Sequence, residues 1–298
     1  MIYSYKNYLI IFFCLLFSFN NSFTFAQDTK NLIFIPSNNS IKEFYIGKFP
    51  VTNLEYKKFI DSTNYKAPKY WKNASFPQGK DNHPVIFVSY NDAIEYCRWL
   101  ESTNKEFIFR LPSISEWEYA ASGGNNFDFP WGNQADSNCF NCNKLVASVF
   151  LAKNPIVKYT NPKSSAYGQS NKLDNVISIN KNGSIRGWID HKNYTGFVYT
   201  DLFEDIMKNG GYTTPVDKYQ EGKSPFGVYD MSGNVWEWTS SIITATNGAE
   251  RGKTVNAIKG GSWYANANSC KIKMSGEGRN PNLVYNTVGF RIVAERRQ

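Results

Sequence analysis

Histidine is scarce in this chain of 298 residues, which has two: His83 and His191. A metal centre of three histidines therefore cannot be built within one chain. Ser262 follows a glycine pair but has no evident histidine base, which argues against a serine hydrolase. No phosphate-cradling G-x-x-x-x-G-K-[ST] loop occurs. These absences exclude several common enzyme classes without yet naming one.

Long apolar runs are also missing, except at the N-terminus. There Lys6 precedes an apolar run from Tyr8 to Phe19, and Thr24-Phe25-Ala26 follows. This order is typical of a secretory signal peptide, here residues 1–26, cleaved after Ala26. An uncleaved anchor is the alternative, although the run is short for a membrane span. We therefore expect an exported protein (periplasmic, cell-surface or extracellular) without a transmembrane anchor after cleavage.

The formal net charge is +8, but the sequence contains no dense run of basic residues. Scattered lysines and arginines indicate a solvated surface, so no nucleic-acid partner is expected. Aromatic residues make up 16% of the chain, which is typical of a core built from rings. A protein or peptide partner in the envelope or exterior is the expectation that remains.

Four cysteines follow the signal segment: Cys97, Cys139, Cys142 and Cys270. Cys97 falls on the apolar face of a predicted helix and is expected in the core. Cys139 and Cys142 form a single C-x-x-C, which is a weak signal. Export makes disulfides possible, so a local disulfide or two buried thiols is favoured over a metal knuckle.

Local patterns predict short elements. Residues 43–47 alternate as a strand, and a capping box of Thr52 and Glu55 starts a helix near Asn53. That helix is expected to carry its apolar residues inward. These residues are Leu54, Phe59 and Ile60.

Two further units follow. A strand is predicted at Val85–Val88, and a helix capped by Ser89 comes next. A third helix is predicted with Ser113 as its N-cap and Glu116 as the second member of a capping box, and it is predicted to end at Gly123-Gly124.

The second half is less regular. Residues from about 143 to 209 carry few periodic signals, and we interpret them as a long irregular insertion. "AIKGGSW" and "VGFRIVAER" are predicted as terminal strands. The expected fold is one α+β domain over residues 27–298, with short elements and many loops.

Several motifs follow one another in a specific order along the chain. They are "FYIGKFPVTNLEYKKF", "HPVIFVSYNDAIEYC", "FRLPSISEWEYAASGG", "FPWGN", "GVYDMSGNVWEWTSS", "KGGSW" and "VGFR". Their order and spacing resemble those of the formylglycine-generating enzyme, or sulfatase-modifying-factor, family. The resemblance covers residues 43–296 apart from the insertion, and it implies a C-type-lectin-related fold with little regular secondary structure.

Catalytic members of this family oxidise a cysteine in a sulfatase to formylglycine, using two cysteines five residues apart that bind one copper(I) linearly. Soft thiolates select copper(I), and the chemistry needs both. When the family's two-cysteine stretch is aligned on Gly260-Gly261-Ser262, its second cysteine corresponds to Cys270 and its first to Ala265. The resemblance implies Cys270 and Ser262 as the catalytic candidates. Copper is not expected, because alanine cannot ligate it.

The resemblance also bears on disulfides. Catalytic members often pair the cysteine at position 97 with one directly after the terminal G-F-R, where this chain has Ile292. Cys97 is therefore expected to be a free, buried thiol. Three roles stay open for Cys270: a core residue, a thiol with another partner, or half of a disulfide with Cys139 or Cys142.

Calcium is the cofactor that the resemblance implies. One family site would use the carboxylates of Asp230 and Glu237 with the carbonyls of Gly233 and Val235, which are suitable oxygen ligands. A second would use Asn138 and the Cys139 carbonyl near Gly211-Tyr212. The acid usual before that glycine is missing here, because the preceding residues are Lys-Asn-Gly.

Two functions compete at this point. In the first, an exported family member retains altered oxidoreductase chemistry through Cys270 and Ser262. In the second, it is a non-catalytic binding or scaffold component of a cell-envelope assembly. The missing thiol at Ala265 argues against the family's usual reaction.

Overall fold

The computed structural model describes residues 31–142, 208–248 and 250–298, and the backbone of 178–179 and 185–186. The predicted signal peptide, His191 and nearly all of the predicted insertion lie outside the described residues. The strands, in chain order, are β1 (Leu32–Ile35), β2 (Phe44–Gly47), β3 (Phe107–Arg110), β4 (Ser178–Ile179), β5 (Ile185–Arg186), β6 (Trp236–Thr244), β7 (Thr254–Lys259), β8 (Gly278–Arg279), β9 (Val288–Gly289) and β10 (Val293–Arg296). The helices are α1 (Asn53–Thr63), α2 (Tyr90–Thr103) and α3 (Ile114–Ser122), with 3-10 turns at Gln220–Gly222 and Ala267–Cys270.

Two four-stranded sheets form the frame. The first has the order β1-β2-β10-β3 and is antiparallel throughout. The second has the order β8-β7-β6-β9, in which β6 and β9 are parallel. The strands β4 and β5 pair with each other. In the described chain, none of the helices combines the length and apolarity needed to cross a bilayer.

Helices α1, α2 and α3 each begin with a reciprocal capping box. The sequence predicts the boxes of α1 and α3, and for α2 it predicts the N-cap Ser89 but not the box. Each N-cap hydroxyl accepts the N–H of the residue three places on, and that residue's carboxylate accepts the N–H of the cap. The pairs are Thr52 with Glu55, Ser89 with Asp92, and Ser113 with Glu116. The third helix ends at Gly123, which has a φ of 63°, a conformation that favours glycine.

An aromatic core lies between the helices and the sheets. Tyr56 of α1 stacks on Tyr96 of α2 at 5.8 Å, and Tyr96 meets Phe290 edge-on at 5.3 Å. Cys97 is buried in this core as a free thiol, and burial raises its pKa to about 12. The prediction for Cys97 is therefore confirmed.

The start of α1 differs from the prediction at one residue. Phe59 and Ile60 are buried, but Leu54 is 47% exposed. Asn53 points inward instead, where its amide donates to the Lys80 carbonyl and accepts from the Tyr70 hydroxyl. Because the next helical residue is rotated by about 100°, Leu54 turns towards solvent.

Two strand predictions are also corrected. Val85–Val88 is buried but forms no strand, since Phe87 has a φ of 57°, which breaks an extended run. The terminal segment is two strands rather than one. β9 joins the second sheet and β10 the first, because the chain crosses between the sheets at Phe290–Ile292.

Candidate functional site

The loop after β7 is shaped by its glycine pair. Gly260 and Gly261 have φ of 97° and 78°. A Cβ at Gly260 would lie 3.1 Å from the Trp117 ring, and one at Gly261 would lie 2.3 Å from Cys270 Sγ. Only glycine permits these approaches, so the backbone packs directly onto Trp117 at Gly260 and onto Cys270 at Gly261.

Cys270 ends the short 3-10 turn Ala267–Cys270 and is completely buried. Its carbonyl accepts a hydrogen bond of 2.8 Å from Ser232 Oγ. Burial, and then the neighbouring Cys142, raise the pKa of the Cys270 thiol well above its usual range, while backbone N–H groups of Ser262 and Gly233 act in the opposite direction. Cys270 is therefore a neutral thiol at pH 7, not a reactive thiolate.

Ala265 contacts the same cluster of buried side chains as Cys270. The cluster contains Cys139, Cys142, Phe129 and Phe140, with Ala265 packed against it. An alanine thus packs on the thiol-containing cluster at the position where the resemblance implies the first ligand of the pair.

Ser262 is buried beside Cys270, and its Oγ accepts the N–H of Tyr264 at 3.3 Å. His83 is engaged elsewhere in the described residues, with Nδ1 lying 3.0 Å from Thr213 Oγ1. The structure therefore brings Ser262 and Cys270 together, whereas His83 contacts Thr213. Their catalytic role stays a prediction.

Glu237 belongs to a fully buried ion pair. Its Oε2 accepts from Arg291 Nε at 2.6 Å and from Trp117 Nε1 at 2.7 Å, and its Oε1 accepts from Arg291 at 2.7 Å. Both Glu237 and Arg291 are 0% exposed. Three donors already occupy most of the acceptor sites of this carboxylate, which argues against a calcium-ligand role in this arrangement.

Asp230, the other predicted carboxylate, lies near this pair. It has a φ of 55°, and its Oδ2 accepts from Asn234 Nδ2 at 2.8 Å. Burial raises the pKa of Asp230 to about 7, although Asn234 and Arg291 act to lower it. Gly233 and Val235 lie between the two acids, and Val235 belongs to the aromatic core. Calcium at this loop stays a prediction, with the Glu237 contacts as the observation against it.

The second predicted calcium loop is arranged differently from the expectation. Asn138 is exposed, and its N–H donates to Asp136. The Cys139 carbonyl packs against Gly222, where an added Cβ would lie 1.8 Å away. Asn141, which the sequence reasoning missed, is the buried asparagine whose Nδ2 donates to the Tyr212 carbonyl at 2.9 Å. Only burial distinguishes the two asparagines, and no local pattern signals it.

Two oxygens beside this turn have no hydrogen-bond partner: Asn141 Oδ1 and Thr214 Oγ1. Both residues contact Asn234, whose side-chain oxygen faces the Asn141 amide and the Thr214 N–H. Buried oxygens of this kind are normally satisfied by a water or a cation. Across the described ranges, however, no group of three or more His, Cys, Asp or Glu side chains is placed to hold a metal ion.

Two small sheets, capped helices and a cysteine packed under a Gly-Gly-Ser turn define a formylglycine-generating-enzyme-like protein. The chain belongs to this family, since residues 20–190 and 185–296 match the sulfatase-modifying factor enzyme 1-like domain.

The relatives carry different activities. The formylglycine-generating enzyme of Bos taurus is 26% identical, over 86% of this chain and 67% of its own. The inactive C-alpha-formylglycine-generating enzyme 2 of Bos taurus is 22% identical, over 85% of this chain and 77% of its own. The chaperone protein LppX of Paenibacillus barcinonensis is 25% identical, over 85% and 80%. Membership of the family therefore leaves the activity to be argued from the site.

Among solved structures, PvdO from Pseudomonas aeruginosa has a TM-score of 0.51 and 22% identity, covering 85% of this chain and 81% of its own. CarF has a TM-score of 0.50 and 18% identity, covering 88% and 92%. At these identities the likeness supports the fold alone. The predicted fold, a single α+β domain of this type, is confirmed.

Proposed function

We propose that this chain is an exported, non-catalytic member of the family that acts by binding a protein or peptide of the cell envelope or exterior. The observation that carries the proposal is that Ala265, and not a second cysteine, packs against the cluster that holds the buried thiol of Cys270. The resemblance requires two thiolates for linear copper(I), and this loop supplies one sulfur.

The environment of the remaining sulfur supports the same conclusion. A copper(I) ligand or a nucleophile must be a thiolate that its partner can reach. Cys270 is 0% exposed, and burial raises its pKa. The backbone of Gly261 covers it, so a substrate thiol has no open approach from that side.

The relatives support a binding role. They include a protein named inactive and another named a chaperone, both aligned over 85% of this chain. The fold can thus persist in proteins that are not named as oxidases. The N-terminal segment, with its apolar run and Thr24-Phe25-Ala26, is what supports an exported partner.

The test compares two substitutions of Ala265 with the wild type. Reduced wild-type protein is incubated with copper(I), dioxygen and a C-x-P-x-R peptide, and the peptide is analysed by mass spectrometry. We expect no aldehyde from the wild type. Ala265→Cys restores the spacing of five and should gain copper(I) binding with Cys270, whereas Ala265→Ser, the matched control that adds no sulfur, should not.

Robust aldehyde formation by the wild type would overturn the proposal. It would mean that Cys270 and Ser262 retain oxidoreductase chemistry through a partner other than residue 265. Copper(I) binding by Ala265→Ser equal to that of Ala265→Cys would show that position 265 is not the vacant ligand site.

A further inference from the structure

Three cysteines from distant parts of the chain meet in one buried cluster. Cys139, Cys142 and Cys270 are 8%, 7% and 0% exposed and pack with Phe129 and Phe140. Thiols gathered in this way in an exported protein are exposed to oxidants before they are buried. The structure records no bond between any two of these three cysteines, so the pair is inferred from their neighbours.

The backbone contacts of Gly233 bring residue 141 and Cys270 to the same place. A Cβ at Gly233 would lie 2.2 Å from the Asn141 carbonyl oxygen, and that carbonyl accepts the N–H of Asn234 at 2.8 Å. The N–H of Gly233 donates to the Gly260 carbonyl at 2.7 Å, beside Gly261, and the preceding Ser232 hydroxyl donates to the Cys270 carbonyl at 2.8 Å. Cys142, the next residue after Asn141, therefore enters the cluster on the side of Cys270.

Cys139 has a different set of neighbours. Its carbonyl packs against Gly222 of the 3-10 turn Gln220–Gly222. Apart from burial, the groups that raise the pKa of Cys139 are Asp136 and Glu221, whereas for Cys270 the corresponding group is Cys142. Both sets of contacts select Cys142 as the partner of Cys270.

We propose that Cys142 and Cys270 form a disulfide in the mature protein, an inference that rests on the proposed export. Each thiol loses its proton, and two electrons pass to a disulfide oxidant such as oxidised glutathione. One S–S bond forms between the two cysteines, while the S–S bond of the oxidant breaks into two thiols.

The bond forms during folding. In the unfolded chain both thiols have ordinary pKa values and react through their thiolates, whereas in the folded chain Cys270 is sealed under Gly261. The closed bond is then shielded from reductants. It ties the Gly-Gly-Ser loop to the chain immediately before residue 143, and it leaves Cys270 unable to bind a metal. A cross-link over so long a stretch restricts the unfolded chain, so reduction should lower the melting temperature.

The test counts reactive thiols after denaturation. The full chain, wild type or variant, is refolded in a glutathione redox buffer, denatured without reductant and alkylated, and the added labels are counted by intact mass. Cys142→Ser should gain one label over the wild type, because Cys270 is released. Cys139→Ser, the matched control from the same C-x-x-C, should lose one, because its thiol was already reactive. Non-reducing peptide mapping of the wild type should recover Cys142 linked to Cys270 even where a variant does not fold.

Other results overturn the inference. A gain of one label in both variants would show a Cys139–Cys142 bond, and a gain in Cys139→Ser alone would show that Cys139 pairs with Cys270. A loss of one label in every single variant, Cys270→Ser included, would show free thiols. The aldehyde assay uses reduced protein, so its outcome is independent of this one.

Discussion

Arg291→Met tests whether the buried ion pair with Glu237 holds the two sheets together. Arg291 follows β9, and its guanidinium bonds both oxygens of Glu237 on β6 and also donates to the carbonyls of Gly47 and Tyr229 at 2.9 and 2.8 Å. Methionine matches the stem but leaves a fully buried carboxylate with Trp117 as its remaining donor. Removing one partner of a buried pair costs about 3–5 kcal/mol. That is a large part of the roughly 5–15 kcal/mol by which domains are stable.

The assay is urea denaturation at pH 7 of four proteins. They are the wild type, Arg291→Met, Glu237→Gln and the double variant. Neutral glutamine relieves the unpaired charge, so the double variant should be more stable than the sum of the single losses predicts, by about 1–3 kcal/mol.

Arg98→Met is the matched control, since Arg98 pairs with Glu95 on the exposed surface of α2, with side chains 68% and 41% exposed. It should cost about 0–1 kcal/mol. If Arg291→Met costs no more than Arg98→Met, or if the two core losses simply add, the reasoning about this pair is wrong.

The remaining predictions concern calcium and export. Because Glu237 is already bonded by Arg291 and Trp117, a chelator should leave the melting temperatures of wild type and Glu237→Gln unchanged. If the chelator lowers the melting temperature of the wild type but not that of Glu237→Gln, the calcium site implied by the resemblance is supported. If Asn141→Ala instead abolishes the effect of the chelator, the ion lies at Asn141. Protein purified from the native host should begin at Gln27 by N-terminal sequencing; intact Met1 in a cytosolic fraction would contradict export.

The features that could be predicted from sequence are those set by neighbouring residues. The capping boxes of α1 and α3, the N-cap Ser89, the stop at Gly123 and the position of Cys97 depend on spacings within a few residues, and all were found as expected. The box that Asp92 completes on α2 was not predicted. The strand predicted at Val85–Val88 failed because Phe87 takes a positive φ, which its hydrophobic pattern does not reveal. The prediction that Leu54 is buried was wrong for a related reason. The hydrogen bonds of the Asn53 side chain to Lys80 and Tyr70 determine which face of α1 turns inward.

The site was predictable only as a set of residue types. Ala265 and Cys270 could be compared with the family from their spacing to the glycine pair. The partners of Glu237 could not, because Arg291 lies 54 residues away and Trp117 lies 120 residues away along the chain. Asn141 was missed for the same reason: its burial depends on Tyr212 and Asn234, which are 71 and 93 residues distant.

The placement of β9 and β10 has a consequence for the order in which this chain can fold. β10 lies in the middle of the first sheet, between β2 and β3, and β9 forms an edge of the second. Until residues 288–296 have been synthesised, β2 and β3 have no strand to join them, and β6 lacks its parallel neighbour. Both sheets of a nascent chain therefore stay incomplete until this segment has been made. In the proposed exported protein, that delay limits folding before the chain crosses a membrane.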